Sequence, residues 1–131
     1  MLTTAELDSI GEARLKDAEI LLDKGRFEGA FYLCGYAIEC ALKARICKTL
    51  GWAGFPSASS EFRELLSLKT HNLETLLHLS GREVQVKTTL FPEWSLATGW
   101  DPEVRYRPIG KIPEAEARSM IESTRTLLKA L

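Results

Sequence analysis

The run from Glu28 to Ile46, EGAFYLCGYAIECALKARI, constrains the fold more than any other part of the chain. At about 100° per residue, Phe27, Ala30, Cys34, Ile38, Ala41 and Arg45 fall on one stripe. Gly29, Leu33, Cys40, Ala44 and Cys47 form a second face of small or apolar residues. A helix apolar on both flanks must be packed from both sides. The segment 26–50, stopped by Gly51, is therefore expected at the centre of a helical bundle or at a subunit interface. Between the two faces Tyr32, Tyr36, Glu39 and Lys43 make one polar strip, whose purpose is the main question the sequence raises.

The flanking segments supply the rest of a bundle. Thr3-Thr4-Ala5-Glu6 reads as a capping box, in which a threonine oxygen meets free backbone N–H groups and Glu6 reaches back. Leu7, Ile10, Leu15, Ala18, Leu21 and Leu22 then recur at helical spacing as far as Gly25, with Asp8, Glu12, Lys16, Glu19 and Asp23 on the wet face. GWAGFPSASS, residues 51–60, is turn material with two exposed-looking aromatics, Trp52 and Phe55. A short helix is expected over 61–68, and another from Thr70-His71-Asn72 to Gly81. REVQVKTTL has local β propensity but no partner strand, so helix is favoured, and Pro92 suits a first helical turn. Residues 100–111 read as an ordered loop, and a final helix opens at Pro113 with Ala117, Met120, Ile121, Thr124, Leu127, Leu128 and Leu131 as its core stripe. The segment LLDKGRFEGAFYLCGYAIECAL is like one tetratricopeptide helix pair, but a single copy implies only an antiparallel helical hairpin. The expectation is all-α: one domain over residues 1–131, an up-and-down bundle of four to five helices.

Several function classes fall away. A net charge of −1 argues against a strongly basic nucleic-acid surface, although a local patch remains open. No apolar run reaches the roughly 18 residues of a membrane span, and the first residues lack the basic start and apolar block of a signal peptide. Cys34, Cys40 and Cys47 lie on one helix without a pairing geometry, as expected of reduced thiols in a cytoplasmic protein. Neither paired short cysteine spacings nor a metalloprotease helix is present, so no metal is expected, and no glycine-rich phosphate loop points to a cofactor.

Three features can carry chemistry. Glu39 precedes Lys43 by four residues, either as a surface ion pair beside two tyrosines or as a mutually neutralised pair in a cleft. His71 is either a hydrogen-bonded helix-boundary residue or a site residue. In Trp100-Asp101-Pro102-Glu103-Val104-Arg105-Tyr106-Arg107, the arginines beside aromatics either hold phosphate or stack a base, or tie the loop down through Asp101 and Glu103.

These same residues carry a resemblance. AFYLCGYAIECALKARI, then THNLETLL, then VRYRP before a last amphipathic helix is similar to the HEPN domain family (higher eukaryotes and prokaryotes nucleotide-binding) over residues 14–131. The matching motifs are Glu39 to Ala44, His71 to Leu73, and Arg105-Tyr106. The resemblance implies an all-α bundle that forms homodimers and acts beside a minimal nucleotidyltransferase encoded nearby, in toxin–antitoxin pairs or related modules. Some members are metal-independent ribonucleases that use an arginine and a histidine with four to six residues between them. This chain departs from that pattern, because its only such pair, Arg63 and His71, has seven residues between. One residue of slippage turns a helical side chain by about 100°, and an acid–base pair must meet at hydrogen-bond range.

The leading expectation is therefore a non-catalytic binding and interaction module, taking a nucleotide or a nucleotide-bearing partner. Arg105, Tyr106, Lys43 and His71 are expected to line its cleft, with Tyr36 and Glu39 holding the cleft in shape and facing the Arg105-Tyr106 loop. The alternatives are a ribonuclease toxin using Arg63 and His71, and a structural helical adaptor without a ligand site.

Overall fold

A computed structural model describes all residues, 1–131. The expected all-α bundle is present. Its longest members are α1 (Thr4–Asp23), α2 (Phe27–Leu50) and α6 (Glu114–Ala130), joined by the shorter α3 (Leu73–Ser80), α4 (Glu83–Thr89) and α5 (Phe91–Ala97). The helix count is six because residues 83–97 break at Leu90 into two short helices, with Pro92 in the first turn of α5.

The capping box at the start of α1 forms as its residues dictate. Glu6 N donates to Thr3 Oγ1 at 3.2 Å, and Thr3 N donates to Glu6 Oε2 at 2.8 Å. Gly51 closes α2 in the left-handed region at φ 68°, a conformation that glycine adopts without a Cβ penalty.

Twelve of the 24 residues of α2 are buried, distributed around the helix, and it packs against α1, α3 and α6. That is the central position its two apolar faces require. Phe31, Ile38, Leu42 and Ile46 are each at most 2% exposed. Burying a side chain of this size contributes about 1.5–3 kcal/mol. One continuous core of 29 buried residues runs from Leu7 to Leu127.

Three expectations are corrected. Phe55 is buried rather than exposed, and Trp52 is half-buried. The reason is a two-stranded antiparallel ribbon in which β1 (Leu2–Thr3) pairs with β2 (Gly54–Phe55), and Phe55 turns inward to meet Phe62 edge-on at 6.2 Å. The helix expected over 61–68 is replaced by two 3-10 turns, Ser59–Phe62 and Leu66–Leu68. Phe62 and Leu68 both go into the core, and the chain bends at Leu65 (φ −131°, ψ 38°) to bury them, leaving Leu66 70% exposed. Local helix propensity yields there to tertiary burial. Within the loop 100–111, which is ordered as expected, Pro102–Tyr106 forms a further 3-10 turn.

Candidate functional site

The polar strip of α2 divides between two neighbours. Its C-terminal half, Glu39 and Lys43, opens onto a cleft of about 580 Å³ between α2, the end of α1's first turns and the chain from Pro56 to His71. Phe55, Phe62, Leu68 and Leu7 give this cleft an apolar lining, while Lys43, Lys69, His71, Ser57 and Thr70 supply cations and hydroxyls. A more open hollow of about 550 Å³ beside Trp52 has Glu61 as its only ionisable side chain and so offers an anionic ligand no cationic side chain.

Glu39 is the side chain that organises the cleft. Its side chain is 6% exposed, so the carboxylate cannot rely on water, and a buried carboxylate needs partners. His71 Nδ1 donates to its Oε1, and Lys43 Nζ stands 3.9 Å away. Because a carboxylate only accepts, the Nδ1 nitrogen carries the proton and the imidazole presents Nε2 on its other side. The imidazole as a whole is 57% exposed. Lys43 also lies over the Phe55 ring, 5.2 Å from its centre, within cation–π range. The Glu39–Lys43 pair is thus part of a cleft, not a loose surface pair.

The N-terminal half of the strip faces the loop instead. Tyr32 donates to the Tyr36 hydroxyl at 3.2 Å, with the rings edge-to-face at 5.1 Å. Tyr36 also meets the edge of Trp100 at 5.0 Å and of His71 at 6.3 Å, which makes it the link between cleft and loop. Burial, followed by the neighbouring Tyr32 hydroxyl, pushes the Tyr36 phenol up to about 12.

Trp100 fixes the loop. Its indole packs onto Gly35, where an added Cβ would come within 1.9–2.1 Å of three ring atoms, and its Nε1 donates to the Tyr32 carbonyl at 2.9 Å. At the other end of the loop Glu28 accepts from Gly110 N. Asp101 spends its carboxylate on Glu103 N at 2.7 Å, and Arg107 Nη2 reaches the Gly99 carbonyl at 3.5 Å. The loop is therefore tied down by Trp100, Asp101 and Glu28, and Arg105 is left to other work. Its guanidinium lies 4.7 Å from the centre of the Tyr106 ring. The Tyr106 and then the Tyr32 hydroxyls hold it more firmly cationic than usual.

Placement of the expected residues is then as follows. Glu39, Lys43 and His71 share the cleft, and Tyr36 touches His71 at its rim. Arg105 and Tyr106 do not line it, which corrects the picture of a single cleft holding all six. The cause is the helical turn: Tyr32 and Tyr36 precede Glu39 and Lys43 by about one to three turns, so the two halves of the strip meet different segments. Arg63 lines a separate hollow with Ser60, Glu61, Glu64 and Leu65, away from the depression His71 opens onto. Ser57, Lys69, Thr70, Phe55 and Phe62 were missed as cleft residues; the pairing of Lys69 with Thr70 immediately before His71 was the one local signal for them.

No group of three or more histidine, cysteine, aspartate or glutamate side chains is gathered in a way that could hold a metal ion. No helix is long and apolar enough to cross a membrane. No curated protein and no solved structure matches the chain. The family model of the HEPN domain does match, over residues 5–131, and with that coverage the chain belongs to the HEPN domain family.

Proposed function

We propose that this HEPN domain is a non-catalytic binding module whose Glu39–Lys43–His71 cleft receives a nucleotide, free or carried by a partner. The observation that carries this reading is the composition of the cleft. Lys43, Lys69 and the exposed imidazole of His71 surround an apolar lining that includes Phe55 and Phe62. Cations with hydroxyls suit a phosphate, and an apolar, aromatic lining suits a base. Glu39 acts as the positioning residue, since it holds His71 and lies close to Lys43. Homodimerisation and a minimal nucleotidyltransferase partner, in a toxin–antitoxin or related system in the cytoplasm, belong to the same proposal and rest on the family resemblance.

The ribonuclease reading has one observation in its favour. An imidazole oriented by a buried carboxylate, with Nε2 free, is the arrangement a general acid–base requires. Against it, Arg63 lines a different hollow from His71. A structural adaptor without a ligand site leaves the buried Glu39 and its two partners without a purpose beyond stability.

The test is to purify the untagged protein, determine its mass in solution, incubate it with total RNA, and titrate it with ATP and AMP. The expected result is a dimer that leaves RNA intact and binds nucleotide saturably, more weakly after Lys43→Ala. RNA cleavage that disappears in His71→Ala would replace the binding module with a nuclease.

A further inference from the structure

Resting on that nucleotide-binding reading, we infer that the cleft takes up its phosphate together with one proton from solution, held between His71 Nε2 and a phosphate oxygen. Glu39 accepts from His71 Nδ1, which leaves Nε2 as the ring's remaining hydrogen-bonding atom. In the neutral ring this tautomer gives Nε2 a lone pair and no hydrogen. A phosphate dianion offers only lone pairs as well. The two meet at hydrogen-bond range only when a proton lies between them, on the ring as imidazolium or on the phosphate as its monoanion. Either placement draws one proton from solution, because a phosphate monoester has lost its second proton above a pH of about 6.

The charges around the ring make the anion the trigger. His71 lines the cleft with Glu39 and Lys43 of α2 and with Lys69 of its own segment. Glu39 favours a protonated ring, whereas the two ammonium groups oppose a third positive charge in the empty cleft. A bound phosphate adds negative charge beside the lysines and turns that opposition into attraction. The other titratable groups near the ring hold their protons near neutral pH. Burial, followed by the Tyr32 hydroxyl, pushes the Tyr36 phenol up to about 12. Burial, followed by the Glu39 charge, pushes the Cys40 thiol up. From α1 and the ribbon only Leu2, Leu7, Ile10 and Phe55 reach the cleft, and none of them is charged. Glu74, in the first turn of α3, is engaged with Lys87 and Trp94. The proton therefore goes to His71 or to the phosphate it holds.

The experiment is calorimetric titration with AMP in PIPES, HEPES and Tris at a pH of about 7.5, where the free phosphate is a dianion. The slope of the observed enthalpy against the ionisation enthalpy of the buffer counts the protons taken up. The wild type is expected to give a slope approaching one proton per AMP, and an affinity that falls by up to about tenfold per unit of rising pH. His71→Asn keeps an amide N–H for Glu39 and has no counterpart of Nε2. It is expected to bind AMP with a slope near zero and an affinity indifferent to pH in this range. A slope near zero in the wild type, with AMP still binding, would overturn the proton coupling and leave the nucleotide cleft standing; the wild type alone decides this. A slope that survives His71→Asn would overturn the coupling at His71. Absence of AMP binding would remove the nucleotide-binding reading and this inference with it.

Discussion

Trp100 occupies the room that Gly35 leaves by having no side chain, and its indole Nε1 donates to the carbonyl of Tyr32 on the same helix. This one contact seats the loop that carries Arg105 against the face of α2 that carries Tyr32 and Tyr36. Trp100 is 3% exposed and Gly35 is buried, so the pair belongs to the core as much as to the site.

Gly35→Ala should therefore dislodge Trp100 despite being a better helix former. The expected cost is about 1–3 kcal/mol, as for other overpacked cores, read as a lower melting temperature and a red shift of tryptophan fluorescence. In a Trp100→Ala background the same change should be neutral or stabilising, because only the helix propensity of alanine then remains. Additive losses in the double variant would mean that the two residues do not share this space.

Glu39 and His71 form the second dependent pair. His71→Ala removes the hydrogen bond to a carboxylate that is 6% exposed in the intact protein, and leaves Lys43 at 3.9 Å as its nearest charged partner. The expected loss is about 1–3 kcal/mol by chemical denaturation, the cost of an under-satisfied buried polar group. Glu39→Gln/His71→Ala should recover much of it, since the charge that needed a partner is gone. A His71→Ala variant as stable as the wild type would show that the pair does not hold the cleft together.

The tether at the far end of the loop responds to acid. The Gly110 N–H, followed by Glu28's own N–H and weaker help from Ile112 and Lys111, holds the Glu28 carboxyl below its ordinary 4.5. A carboxyl lowered in the folded state contributes its tether fully above the ordinary value and loses it as the pH falls through the lowered one. The Gly110 amide resonance should therefore shift cooperatively at a pH below 4.5, and Glu28→Gln should abolish that step. A Gly110 resonance indifferent to acid would show that Glu28 does not hold the loop.

Tyr36 offers a spectroscopic handle on the link between cleft and loop. With burial as the first cause and the Tyr32 hydroxyl as the second, its phenol ionises at about 12. Alkaline difference spectra should lose a step near that value in Tyr36→Phe, and in Tyr32→Phe the step should move. A Tyr36 step unmoved by loss of Tyr32 would place the two hydroxyls out of contact.

The sequence makes local features legible and leaves tertiary ones hidden. The capping box at Thr3, the stop at Gly51 and the central place of α2 follow from spacing alone, because each depends on neighbours within one or two helical turns. The strip from Tyr32 to Lys43 is visible for the same reason. What the strip faces is not, because that depends on where residues 54–71 and 100–110 return after long excursions. The inward turn of Phe55 requires β1, about 50 residues earlier in the chain, and nothing local announces it. The break at Leu65 comes from burying Phe62 and Leu68 together, against the helical preference of the segment. Gly35 is a quieter case: a glycine among good helix formers hints at close approach, but only the fold shows that Trp100 is what approaches.

The most direct measurement is a map of backbone amide shifts on titrating the labelled protein with AMP. The account predicts saturable shifts concentrated at Ser57, Lys69, Thr70, His71 and Lys43, around the cleft. Shifts confined to other surfaces, or none at millimolar AMP, would contradict it.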